Sequence, residues 1–234
     1  MPAQLKIESG FASETGLRPR NEDYGAVFAA EGKRGVVAAV ADGIGGNPGG
    51  REAAEIAVRT FIEIYAGTSP NRSLAEAAEA AIAAANARIL DAGAADHRLS
   101  GMGTTFSALI IEGGEALSVH VGDSRIYRLR DGATSRLSED HNLHAEGFPH
   151  ILTRSLGNRE KAQPDIEAQD IRSHDRILLC TDGVTSVLSD AQIAGILRSH
   201  PVPATAAKRL AEAALAAGST DNATALVLDV AAAC

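Results

Sequence analysis

Short apolar stretches rich in Val, Ile and Leu, closed by Gly or Asp, recur at residues 5–10, 24–30, 35–41, 105–111, 116–121, 126–130, 176–180 and 223–230. Runs of this length bounded by turn residues read as strands, and many of them in one chain suggest a sandwich or barrel. Helical spacing interrupts the pattern at 51–66, where Ala54, Val58, Phe61, Ile62 and Tyr65 fall on one face. It returns in the Ala-rich stretch 74–92, which carries Ile82, Ile89 and Leu90, and again at 191–197 and 204–217. The helices come in pairs between groups of strands. That grouping argues against a doubly wound parallel sheet and for two sheets with helices packed outside them. The chain has 234 residues, with no internal repeat and no linker rich in Gly, Pro or Ser, so residues 1–234 are expected to form one domain.

Charge narrows the function. Lys plus Arg is 22 and Asp plus Glu is 30, a formal balance of −8 with no basic block. Neither nucleic acid nor an anionic membrane is an expected partner. No apolar run approaches the roughly 20 residues of a spanning helix, and residues 1–10 do not read as a signal peptide, so the cytoplasm is the expected location. Cys180 lies within an apolar run and reads as a buried small side chain; with Cys234 as the one other cysteine, no disulfide framework is expected.

The aspartates carry the chemistry. Asp42 follows the run 35–41 and precedes Gly43; Asp182 follows 177–181 and precedes Gly183. Asp123 follows Val119-His120-Val121-Gly122, and Asp221-Asn222 stand directly before 223–230. A carboxylate at a strand end is held rigidly, and an adjacent Gly allows close approach of backbone or ligand. Several such groups at one end of a sheet repel one another unless cations sit between them. Hard oxygen ligands select Mg2+, Mn2+ or Ca2+. Any single Asp-Gly also reads as an ordinary turn. The stretch Arg18-Pro19-Arg20-Asn21-Glu22-Asp23 reads either as a solvated charged turn or as a guanidinium clamp for phosphate beside metal-binding carboxylates.

These residues resemble the metal-dependent protein phosphatases of type 2C in their compact bacterial form. The matching segments are RPRNED (18–23), VVAAVADGIGG (36–46), GMGTTFSALI (101–110), VGDSRIYRLRDG (121–132), SEDHNL (138–143), LTRSLG (152–157), LLCTDGVTSVLSD (179–190) and STDNATALVL (219–228). They follow the family's order over nearly the whole chain. The resemblance implies an α+β fold, a four-layer α-β-β-α sandwich with two mainly antiparallel central sheets. It also implies two Mn2+ or Mg2+ ions per chain, which activate a water to hydrolyse phosphoserine and phosphothreonine in proteins. By this resemblance Asp42 bridges the ions, the Gly43 carbonyl binds one, and Asp182 and Asp221 complete the other. Glu22 and Asp23 lie at the second ion directly or through water. Arg18 grips the substrate phosphate, and Asn222 orients Asp221 from behind. The implied partners are phosphoproteins and a cognate bacterial Ser/Thr kinase, and the implied state is a monomer.

The sequence departs from the family pattern in three places. Asn47 and Pro48 follow Gly45-Gly46 where many relatives carry His, so no His general acid is assigned. The stretch 142–151 is short where bacterial relatives carry a flap subdomain, which implies a more open site. The three histidines His141, His144 and His150 in and beside it read as loop residues rather than a metal cluster. Asp123 resembles the ligand of a third, weaker ion, but Ser186 stands where some relatives add an Asp, which leaves that ion open. Two other readings keep the fold: a phosphatase of small molecules, and a pseudo-phosphatase that binds phosphoproteins without turnover. The branch that acts on anti-sigma-factor pathways matches less well in segments 18–23 and 219–224.

Overall fold

The computed structural model describes residues 5–29, 35–44, 49–143 and 151–232. Two five-stranded antiparallel sheets lie at its centre. The first has the order β1 (Leu5–Glu14), β10 (Ala223–Ala232), β9 (Arg176–Cys180), β6 (Arg125–Arg130), β7 (Ala133–Arg136). The second has the order β2 (Asp23–Ala29), β3 (Val36–Asp42), β4 (Phe106–Glu112), β5 (Glu115–Val121), β8 (Asp165–Ala168). Helices α1 (Gly50–Gly67) and α2 (Leu74–Ala95) cover the outer face of the second sheet. Helices α4 (Asp190–Ser199) and α5 (Pro203–Ala216) cover the first, and a single turn, α3 (Asp182–Thr185), follows β9. The result is the four-layer α-β-β-α sandwich with helix pairs outside.

The period-two pattern of each strand explains the layers. In β3, Val37, Ala39 and Ala41 face the helices while Ala38 and Val40 face the other sheet. In β10, Ala225 and Val227 face α5 while Leu226, Leu228 and Val230 meet Ile177, Leu179 and Leu109 between the sheets. Strands buried on both faces have no polar face to show, hence their uninterrupted apolar runs. With no Trp and only 3% aromatic residues, the helix-side core closes by proximity. Ala53, Ala54, Ala57, Ala77, Ala78 and Ala81 are fully buried and let α1 and α2 pack tightly around Phe61 and Phe106.

Helix boundaries follow local capping chemistry. Ser73 and Glu76 form a reciprocal capping box at the start of α2, and Ser189 with Gln192 does the same for α4. The cap starts α4 at Asp190, slightly before the apolar periodicity at 191. Pro203 opens α5 at the first turn, where its missing N–H costs nothing. The sequence reading missed β7, β8 and α3. Both strands sit at sheet edges and are half polar, so they lack an apolar signature.

Cys180 is buried and unpaired, as its sequence context implied, and burial pushes its thiol up to about 12. Gly45, Gly46, Asn47, Pro48, His144, His150 and Cys234, with the centre of the short flap stretch, lie outside the described residues. The ends of that stretch meet: the Leu143 N–H donates to the Ile151 carbonyl at 2.8 Å. No helix among the described residues is long and apolar enough to cross a membrane.

Candidate metal and phosphate site

Both sheets deliver carboxylates to the same end of the sandwich. Asp42 ends β3 and Asp123 follows β5 in one sheet; Asp182 follows β9 and Asp221 precedes β10 in the other. All four line a single cleft of about 530 Å³, together with Arg18, Thr105, Ser186, Ile44, Leu152 and Val187. The glycines beside them make this convergence sterically possible. A Cβ on Gly43 would stand 2.2 Å from the Gly50 carbonyl carbon at the start of α1. A Cβ on Gly183 would stand 1.9 Å from the Asn222 carbonyl oxygen, so only glycine lets the Asp182 turn stack on the Asp221 segment.

Asp42 is locked through its backbone. Its N–H donates to Thr105 Oγ1 at 2.9 Å, and its carbonyl accepts from the Thr105 N–H at 2.9 Å and from Thr104 Oγ1 at 2.8 Å. Asp23 lies directly opposite Asp42 in the β2–β3 register, and like charges at that spacing repel. Asp23 is only 1% exposed and stands behind Asp42 rather than on the cleft wall. Thr181 Oγ1 donates to Asp23 Oδ2 at 2.8 Å and accepts from the Thr224 N–H at 3.1 Å, which ties the two sheets together. Asp23 Oδ1 has no hydrogen-bond partner among the described residues.

The electrostatics follow from this crowding. Burial, then the charges of Asp23 and Asp182, hold the Asp42 carboxyl well above the usual carboxylate range, and it shares a hydrogen bond with Asp182. Burial pushes Asp23 up to about 7 and Asp123 up to about 6, with Asp182 adding to both. Burial also raises Glu22, half-buried against Gly50, although Arg18 opposes the shift. At the rim, Arg18 Nη2 donates to Asp221 Oδ2 at 2.7 Å, with the Arg18 side chain 45% exposed and Asp221 33%. The Asp221 charge raises the Arg18 pKa in turn. The carboxylates thus share a cleft without forming a closed cage. Among the described residues no three His, Cys, Asp or Glu side chains have the spacing of one ion's ligands.

Asn222 meets Asp221 through its backbone, while its side chain has further partners. The Asn222 backbone N–H, not its side chain, donates to Asp221 Oδ1 at 2.8 Å. The side chain instead accepts from the Glu22 N–H at 2.8 Å and donates to the carbonyls of Thr15 and Arg20 at 2.7 and 3.0 Å. It therefore pins the whole segment that carries Arg18, Glu22 and Asp23 against the end of β10. His141 lies in a loop, as expected, but it is buried and hydrogen-bonded. It is 6% exposed, and its ring Nδ1 accepts from the Gly122 N–H at 3.2 Å. Its position directly after Glu139-Asp140, inside one of the matched segments, was the one available sign that this loop histidine is buried.

Comparisons with known proteins identify the family and the fold. The family model described as protein phosphatase 2C matches residues 18–219. The serine/threonine protein phosphatase PstP of Mycobacterium tuberculosis is 33% identical over 97% of this chain, which spans 45% of that relative's length. The serine/threonine phosphatase stp of Listeria innocua is 32% identical, with 95% of this chain and 96% of that protein covered. A crystal structure of the PstP catalytic domain in complex with two manganese ions superposes with a TM-score of 0.84 at 33% identity, covering 97% of this chain and all of that one. Sequence over nearly the full length and backbone geometry give the same answer: the chain belongs to the protein phosphatase 2C family.

Proposed function

We propose that this chain hydrolyses phosphoserine and phosphothreonine in proteins, using two divalent cations, Mn2+ or Mg2+, held in the carboxylate cleft. The convergence of Asp42, Asp123, Asp182 and Asp221 from four separate strand ends, with Arg18 at the rim, carries the proposal. The residues present fit such ions. The donors are hard oxygens, burial and then their mutual repulsion raise the pKa values of Asp23 and Asp42, and Asp23 Oδ1 is buried with no partner among the described residues. Asp42 would serve both ions and Asp182 and Asp221 one of them. The Gly43 carbonyl, Glu22 and, from behind, Asp23 would serve the other. Asp123 faces the same cleft and would hold a further, weaker cation or its water. Two bound divalent ions supply charge stabilisation for phosphoryl transfer and a water activated near neutral pH.

The chain's own residues do the rest. The Arg18 guanidinium, on a half-exposed side chain, offers a fork to two phosphate oxygens and would exchange its Asp221 contact for them. Asn222 fixes the segment bearing Arg18 so that the fork faces the cleft. Thr104 and Thr105 hold the Asp42 backbone so that its carboxylate alone faces the phosphate. No side chain is assigned as general acid. Residues 1–234 act as one catalytic domain, a monomer in the cytoplasm that opposes a Ser/Thr kinase.

Phosphate release from a phosphothreonine peptide tests the reading. It should require Mn2+ or Mg2+, stop with chelator and stop in Asp42→Asn. The same panel with p-nitrophenyl phosphate and sugar phosphates separates a small-molecule phosphatase, which would prefer the latter. Bound Mn2+ without turnover of any of them would leave the pseudo-phosphatase.

A further inference from the structure

We propose that His141 is a positioning residue for the Asp123 corner of the cleft, its imidazole clamping the Gly122 peptide; this rests on the reading of the cleft given above. Strand β5 ends at Val121, whose partner on β4 is Phe106, so the ladder stops one residue before Gly122. His141 takes over where it stops. The His141 backbone N–H donates to the Gly122 carbonyl at 2.7 Å, and the Gly122 N–H donates to the His141 ring at Nδ1. One residue thus supplies both bonds that a neighbouring strand would have made.

The ring's proton is placed by its partners. Nδ1 accepts from an amide, which leaves the ring proton for Nε2; that nitrogen donates to Asp165 Oδ2 at 2.9 Å, with Arg154 Nη1 3.3 Å away. Arg154 Nη1 donates to Asp165 Oδ1 at 2.7 Å and holds that carboxylate in place. The arrangement looks like an acid–histidine relay. Its accepting nitrogen, however, is committed to a backbone amide, so His141 has no lone pair left for a substrate proton. Its work is orientation.

Orientation matters at this point because Gly122 has φ +109, and a Cβ there would meet the Thr105 side chain at 2.7 Å. The peptide that follows sets the direction of Asp123, which is 8% exposed and lines the cleft. Asn142, next to His141, hydrogen bonds the Asp123 carboxylate. The His141 carbonyl also accepts from both the N–H and the Oγ1 of Thr153, beside cleft residue Leu152. His141 therefore joins Asp123 to the facing wall.

Three measurements test the clamp. In the wild-type chain without metal, imidazole 15N shifts should show the Nε2–H tautomer for His141, and an Nδ1–H tautomer would overturn the proposal. His141→Asn leaves an amide oxygen near the position of Nδ1, whereas His141→Gln reaches toward Asp165 and leaves the Gly122 amide without its acceptor. His141→Gln should raise the half-saturating Mn2+ for phosphate release about 10–100-fold with KM for the phosphopeptide unchanged, and His141→Asn should restore most of the loss. Equal damage in both variants overturns the clamp. In Asp123→Asn, adding His141→Gln should change the Mn2+ requirement by less than about twofold, because the second change acts through the first. Additive losses indicate a merely structural histidine and also overturn it. If the wild-type chain proves inert toward phosphopeptides, the phosphatase reading fails. The clamp is then judged on Mn2+ binding by electron paramagnetic resonance, where His141→Gln must weaken binding as Asp123→Asn does, and wild-type binding in His141→Gln sinks it.

Discussion

The two sheets hold their halves of the cleft in different ways. On the β2–β3 side, Asp23 and Asp42 are paired across the strand register, the Asp42 backbone held by Thr104 and Thr105 and the Asp23 carboxylate by Thr181. On the β9–β10 side, Asp221 sits at the rim and leans on a half-exposed arginine. The first half is rigid and electrostatically strained. The second can rearrange at little cost, since an exposed ion pair is worth about 1 kcal/mol or less. One half is therefore built to hold charge in place, and the other to exchange partners as phosphate arrives.

The contrast breaks most readily at Asp42. Asp42→Asn should lower phosphate release about 100–1000-fold, by analogy with loss of a preorganised charge-stabilising group. In chelator the same change should raise the unfolding midpoint, because it removes a carboxylate from a repelling buried cluster. A lowered midpoint would mean that the buried half is not strained.

The second largest effect concerns pH. His120, on β5 in the rigid half, is buried with Nδ1 against Ser107 Oγ at 2.9 Å. Burial, then the nearby His141, pushes it down to about 4 from an ordinary 6.5, against opposing contributions from the Glu139 backbone, Asp140 and Asp165. The unfolded chain therefore binds the proton first. The stability from neutral His120 is complete above about pH 6.5 and is lost as pH falls toward 4, roughly 3 kcal/mol in total. Urea unfolding between pH 4.5 and 7 should show that slope, and His120→Gln should flatten most of it.

Thr181→Val sharpens the comparison at the seam between the sheets. It removes the hydroxyl that donates to Asp23 and accepts from the Thr224 N–H, and leaves both groups buried. A loss of about 1–3 kcal/mol in urea unfolding is expected. The smallest effect on stability belongs to the rim: Arg18→Ala should move unfolding by less than about 1 kcal/mol. Its effect on function should be much larger, raising KM for a phosphopeptide about tenfold or more through loss of charged hydrogen bonds. A stability loss equal to that of Thr181→Val would erase the distinction between the two halves.

Much of this was legible in the residues. Apolar runs named most of the strands, because a strand buried on both faces has no alternation to blur it, as β3 and β10 show. Edge strands β7 and β8 were invisible for the opposite reason: their half-polar residues look like loop. At the site, Asp42, Asp182 and Asp221 were marked by their place at strand ends. The work of the Asn222 side chain was not legible, because its partners Thr15, Arg20 and Glu22 lie some 200 residues away in the chain. The contact of the His141 ring with the Gly122 amide was not legible, because the two residues lie in separate segments that only the fold brings together.

The sequence by itself determined which residues could be strands, helices and caps, and which carboxylates stood beside glycines, since these depend on neighbours a few positions apart. Tertiary structure alone decided that Asp23 stands behind Asp42, that Arg18 meets Asp221, and that Thr181 bridges the two sheets. Those pairings depend on register and on the stacking of one sheet on the other. A single-residue slip in either would turn the same side chains to the opposite face.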